Sequence, residues 1–126
     1  MIVLDTHATV WWVSSPSRLS KRAANAIRRA DRIGVPAICL FEIASLVAKE
    51  RIGLDRPSLV WLEQALALPR VDICPLTPAV AVRAAQLVGL PDPADRLIVA
   101  TALVEESKLV TRDVPIRELG VVQTVW

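Results

Sequence analysis

The chain has 126 residues, 53% of them hydrophobic and 22% charged, with a mean hydropathy of +0.44; that is enough apolar material for one domain with a large core, and it excludes intrinsic disorder. Fifteen basic residues against 13 acidic leave a net charge of +2, so the total alone does not mark a nucleic-acid binder. The most apolar stretch, Leu97 to Val104, falls far short of the roughly 20 residues a bilayer span needs, and 4% aromatics with no Tyr leave no set of base-stacking platforms.

Ile2-Val3-Leu4 is a short continuous apolar run closed by Asp5, the pattern of a strand buried on both faces and hence of a parallel sheet. No basic n-region or long apolar segment surrounds it, so a cytoplasmic chain of one domain, residues 1–126, is expected. Thr6 to Val13 reads as a short helix and Ser14 to Ser17 as a loop. Ser20 N-caps a helix running from Lys21 to about Asp31, with Ala23, Ile27 and Ala30 on one face and a basic opposite face. Gly34 is expected to end that helix, Val35–Cys39 to form a second strand, and about Leu40–Arg51 a helix with Glu42 in its first turn.

Pro57 opens a helix through Leu66, Val71–Cys74 is strand-like, and Thr77-Pro78 begins a helix carrying Val80, Ala84 and Leu87. Asp92-Pro93 starts a helix that reaches about Glu106. Leu109–Thr111 is a strand leading to Asp113, and Val121–Trp126 is a final strand. Strands separated by helices imply right-handed crossovers, and so an α/β fold: a three-layer α/β/α sandwich on a mainly parallel sheet, with ligands expected beyond the carboxyl ends of the strands.

Asp5 and Asp113 directly follow apolar strands, while Glu42, Asp92 and Asp95 belong to first turns of helices that open on the same side, so all five map to one rim. Gathered carboxylates repel unless something positive sits among them. With one His, and with Cys39 and Cys74 reading as buried reduced thiols, the fitting partner is a hard cation held by oxygen, Mg²⁺ or Mn²⁺. Such an ion activates water and stabilises charge developing on a phosphate, which suits phosphodiester hydrolysis. Each acid also has an ordinary reading. Asp92 is a natural N-cap, Glu42 is favoured by a helix dipole, Asp113 begins a turn, and Asp5 pairs with Arg96 or Arg112.

In order and spacing, Val3-Leu4-Asp5-Thr6-His7 with Trp11-Trp12, Phe41-Glu42-Ile43-Ala44, Asp92-Pro93-Ala94-Asp95-Arg96 and Leu109-Val110-Thr111-Arg112-Asp113 resemble a PIN domain of the VapC type, the toxin half of a type II toxin–antitoxin pair. The resemblance spans nearly the whole chain. It implies a Mg²⁺- or Mn²⁺-dependent endoribonuclease acting on RNA, a small antitoxin lying over the active-site groove, and a homodimer that forms a heterotetramer or larger assembly with the antitoxin. By position, Asp5, Glu42, Asp95 and Asp113 match the family's acidic quartet, Asp92 an additional acid, and Thr6 and Thr111 supporting hydroxyl residues. Arg96 and Arg112, beside these acids, are expected to hold the phosphate backbone. The basic cluster of Arg18, Lys21, Arg22, Arg28, Arg29 and Arg32 reads first as a solvated face. The rival reading is a catalytically silent PIN-like module that binds RNA or a protein.

Overall fold

A computed structural model describes all of residues 1–126. Five short strands, β1 (Ile2–Leu4), β2 (Ile33–Pro36), β3 (Val71–Cys74), β4 (Lys108–Val110) and β5 (Thr124–Val125), form one sheet in the order β3-β2-β1-β4-β5, with every neighbouring pair parallel. Parallel neighbours require crossovers, and seven helices supply them: α1 (Thr6–Ser14), α2 (Lys21–Arg29), α3 (Ala37–Ala48), α4 (Ser58–Leu66), α5 (Pro78–Ala85), α6 (Pro93–Val104) and α7 (Val114–Leu119). A 3₁₀ turn, Pro16–Arg18, links α1 to α2.

Alternation along the strands divides the core into two layers. Ile2, Leu4, Ile33 and Val110 pack with Ala8 of α1 and with Ala23 and Ile27 of α2. Val3, Val35 and Leu109 pack on the other face against Cys39 of α3, Val80 and Ala84 of α5, and Ile98 and Val99 of α6. The three-layer sandwich read from the sequence is therefore observed. A third, smaller cluster of Val10, Ile43, Trp61 and Ala65 ties α4 to α1 and α3, and the Trp61 indole N–H donates to the Ser14 hydroxyl at 2.7 Å.

Several boundaries differ from the sequence reading. Gly34 does not terminate α2 but lies inside β2, where a Cβ would meet Cys74 Sγ at 2.7 Å and Val3 Cγ2 at 3.3 Å; the glycine is there because neighbouring strands leave no room for a side chain. The helix ends at Arg29 instead, and the Arg70 guanidinium donates to the carbonyls of Ile27 and Ala30 at 3.1 and 2.6 Å, satisfying acceptors at its C-terminus. β2 gives way to α3 at Ala37, so residues 37–39 are helix rather than strand, and Glu42 falls in the second turn. The segment after Asp113 is a helix, α7, announced by Asp113-Val114-Pro115 in the same manner as Asp92-Pro93 announces α6. The last strand is only Thr124–Val125.

The chain runs outward from β1 through β2 to β3, then returns to place β4 on the other side of β1. Connections from the carboxyl ends of β1 and β4 thus leave in different directions, and the crevice between them is where an open α/β sheet binds its ligand.

Candidate active site

Asp5 leaves β1 at that crevice. Its Oδ1 accepts the Ala8 N–H at 2.9 Å and so N-caps α1, and the residue is only 8% exposed. Burial raises its carboxyl above the ordinary range, against the pull of the Thr111 hydroxyl, the Ala8 N–H and His7, while Asp113 adds to the rise. Asp113, beyond β4, caps α7 by accepting the Ile116 N–H at 3.1 Å, and its own N–H donates to Thr111 Oγ1 at 3.0 Å. Thr111 is fully buried. Its hydroxyl therefore sits between two acids delivered by neighbouring strands.

Asp92 caps α6, accepting the Ala94 N–H at 2.9 Å. Asp95 follows within the first turn of the same helix. Glu42 arrives from α3, and the Thr6 hydroxyl donates to its Oε1. Because α3 begins at Ala37 and has no acid in its first turn, the helix dipole does not account for Glu42.

All five acids and Thr6 line one cleft of about 800 Å³, which His7, Trp11, Arg18, Arg51 and Arg112 also line. Their convergence shows most clearly at Asp95, whose half-buried carboxyl is pushed up to about 7. Burial contributes most, followed by the charges of Asp92, Asp113, Glu42 and Asp5. No cation neutralises this group. The ion pairs of the protein lie elsewhere, joining the N-terminus to Asp31, Arg32 to Asp72 and Arg56 to Asp55. Asp5 accordingly pairs with neither Arg96 nor Arg112. What offsets the crowding is backbone: the N-termini of α1, α6 and α7 all open at the cleft, each engaging one carboxylate oxygen.

The donor set is entirely hard oxygen on the acidic side, the chemistry that Mg²⁺ and Mn²⁺ accept. No three of these side chains are drawn together into a ready-made cage. A cation that keeps several of its waters and uses one or two carboxylates directly suits such an open arrangement, and Mg²⁺ characteristically binds that way.

Of the two arginines read as substrate contacts, Arg112 lines the cleft and Arg96 does not. Arg96 Nε donates to the Leu90 carbonyl, fixing the chain ahead of α6. Sequence reasoning missed the stripe His7, Val10, Trp11 and Ser14 as cleft wall. Its three- and four-residue spacing along α1 was the available signal, since Thr6 begins that helix at the rim. It also missed Arg18 and Arg51, whose places depend on the 3₁₀ turn and on the loop after α3.

A family model described as PIN domain matches residues 2–121. The chain is 45% identical over 117 residues to Ribonuclease VapC22 of Mycobacterium tuberculosis (strain ATCC 25618 / H37Rv), covering 89% of this chain and 86% of that protein. Among solved structures, VapBC2 from Rickettsia felis bound to a DNA fragment from its promoter superposes with a TM-score of 0.72 at 18% identity, covering 98% of this chain and 97% of the other. VapBC-1 from nontypeable Haemophilus influenzae gives 0.73 at 17%, covering 98% and 96%, and a toxin–antitoxin complex from Klebsiella pneumoniae gives 0.71 at 19%, covering 100% and 97%. At those identities the structural likeness establishes the fold.

Proposed function

Since the chain belongs to the PIN domain family and is of the VapC type, we propose that its 126 residues act as one domain, a divalent-metal-dependent endoribonuclease that serves as the toxin of a type II toxin–antitoxin pair. The observation that carries this reading is Asp95, whose carboxyl is pushed up to about 7 inside a cleft where four further acids bear on it and no guanidinium pairs with any of them. Such an arrangement is costly for a fold and useful for holding a cation.

In this reading Asp5, Glu42, Asp95 and Asp113 hold Mg²⁺ or Mn²⁺ directly or through water, with Asp92 at the margin. When bound, the cation supplies positive charge against the charge developing on the phosphate and acidifies water. The protein's own groups do the positioning. Caps on α1 and α7 each engage one oxygen of Asp5 and Asp113, and both residues line the cleft. The Thr6 hydroxyl steadies Glu42, and Thr111 spaces Asp5 from Asp113. Arg112 lines the same cleft, where an RNA phosphate backbone entering it meets positive charge.

The likeness to toxin–antitoxin complexes supports a small antitoxin as partner; that its segment covers the cleft, and that a homodimer assembles further with it, are part of the proposal. No helix is long and apolar enough to cross a membrane, and we place the protein in the cytoplasm, with its RNA substrate. A second reading, a silent binding module, draws support from the lack of a preformed three-ligand cage. The test is incubation of the purified protein with a broad RNA panel in chelator, in Mg²⁺ and in Mn²⁺, beside Asp5→Asn. Cleavage that needs the cation and is lost in Asp5→Asn is expected. Cleavage surviving in chelator overturns the metal mechanism, and RNA binding without cleavage in either cation favours the silent module.

A further inference from the structure

Trp11 is a large buried side chain, 8% exposed, at the wall of the cleft, and the chemistry above does not use it. Two guanidinium groups from distant parts of the chain meet over its ring. Arg18, from the 3₁₀ turn after α1, places Cζ 4.8 Å from the ring centroid, and Arg112, between Thr111 and Asp113, places Cζ at 6.0 Å. Both are within the range at which a cation is attracted to an indole face. The ring is held in turn by His7 and Trp126, with centroids 5.6 Å away in each case and planes tilted by 48° and 54°.

Both arginines are exposed and line the cleft, yet neither guanidinium forms an ion pair with any of the five carboxylates there. That is unusual for guanidinium groups in an acidic cleft, because bidentate pairing with carboxylate is the strongest contact open to them. An arginine that collapsed onto Asp113 or Asp5 would occupy the oxygens a cation needs and would itself be lost to substrate. The Trp11 ring offers the two groups another place to rest.

We infer that Trp11 is a positioning residue whose ring holds Arg18 and Arg112 clear of the carboxylates and presents them together to the phosphates of a bound RNA strand. The inference rests on the nuclease reading and deepens it, assigning the substrate's backbone to a defined wall of the site. Trp11 acts through the arginines rather than by stacking on bases, since its own surface is already covered. Arg18 thereby separates from the rest of the basic cluster: Lys21, Arg22, Arg28 and Arg29 lie on α2 and do not line the cleft.

The experiment measures binding of a labelled single-stranded RNA of mixed sequence by fluorescence anisotropy in Ca²⁺, across a salt series. The proteins are wild type, Arg18→Ala, Arg112→Ala, the double variant, Trp11→Phe, Trp11→Leu and the triple variant containing Trp11→Leu. Each arginine substitution is expected to weaken binding about tenfold, and the double to lower the salt slope by about 1.4, two phosphates' worth on a single strand. Trp11→Leu should reproduce the loss of the double variant with both arginines still present, and the triple should be no worse than the double. Trp11→Phe, which keeps a ring, should stay within about threefold of wild type. In cleavage assays the same variants should raise KM and leave kcat at saturating RNA in place. Thermal unfolding verifies folding, and Trp11→Met replaces Trp11→Leu if the latter does not fold. A wild-type salt slope in Trp11→Leu, or a loss in the triple variant that adds to that of the double, overturns the inference while leaving the nuclease intact. Failure of the wild type to bind or cleave any RNA overturns the nuclease reading, and this inference with it.

Discussion

Replacing Asp95 with Asn should stabilise the metal-free protein while abolishing its cleavage of RNA. In the fold the Asp95 carboxyl is pushed from 3.8 up to about 7, by burial first and then by the other four acids. An unscreened rise of that size corresponds to a ceiling of about 4 kcal/mol. Asp95 remains partly open to solvent, which screens the charge and reduces the penalty to about 1–2 kcal/mol. Asn also forgoes the favourable position of a carboxylate in the first turn of α6, so the net gain is about 1 kcal/mol, or a melting temperature about 3–4 °C higher. The sign follows from proton binding. Between pH 3.8 and about 7 the folded protein keeps a proton that the unfolded chain has released, so wild-type stability falls as pH rises through that window. Thermal unfolding followed by circular dichroism in chelator should therefore show the two proteins alike near pH 4, diverging towards neutrality and parallel above it. Added Mn²⁺ should raise the wild type and leave the variant nearly unmoved. A variant no more stable than wild type at pH 8 would refute the electrostatic reasoning, as would a gain independent of pH, which would point to packing.

Gly34→Ala should destabilise by about 1–3 kcal/mol, because the new Cβ falls 2.7 Å from Cys74 Sγ between packed strands; thermal melts should show Cys74→Ala in the same background recovering much of the loss, and no recovery would locate the strain elsewhere. Thr6→Val, which keeps the shape of the buried side chain but removes the donor to Glu42, should lower kcat about 10–100-fold with little change in melting temperature. Asp113→Asn should retain the α7 cap and Asp113→Ala lose it at a cost of about 1 kcal/mol, while cleavage assays show both inactive; activity in the Asn variant would remove Asp113 from the metal site.

The layers of the fold were legible because they rest on composition and period. The apolar triplet Ile2-Val3-Leu4 announces a strand covered on both faces, and the two halves of the core divide its side chains as expected. Boundaries were less legible where a residue's usual local meaning yielded to tertiary contact. Gly34 resembles a helix terminator in sequence, but its lack of a side chain answers to Cys74 and Val3 on adjacent strands. Arg70, which satisfies the end of α2, is far from it along the chain, so nothing local in the sequence reports that Ala30 closes the helix. The acids could be gathered to one rim because each lies beside a strand end or helix start, and Arg112 with them because it precedes Asp113, whereas Arg18 and Arg51 could not. Arg18 owes its place to a 3₁₀ turn and Arg51 to the loop after α3, neither of which leaves a periodic trace.

In the sequence, N-cap and metal ligand stood as competing explanations for Asp92 and turn and ligand as competing explanations for Asp113. The geometry shows the cap in both cases and makes it compatible with the proposed ligand role. At Asp5, Asp92 and Asp113, Oδ1 accepts a backbone N–H at the start of a helix, and a carboxylate has a second oxygen that is also an acceptor. The cap does what a cation site requires: it fixes the side-chain torsions, satisfies one oxygen, and brings the positive end of a helix beside a charge that nothing else neutralises. Asp95 and Glu42 lack such a cap, and the Asp95 carboxyl is pushed up to about 7 by burial and by the other four acids. The uneven treatment divides the cleft into three acids anchored to backbone N–H groups and two that are not, and in the proposed metal site a bound cation would relieve the crowding felt at Asp95.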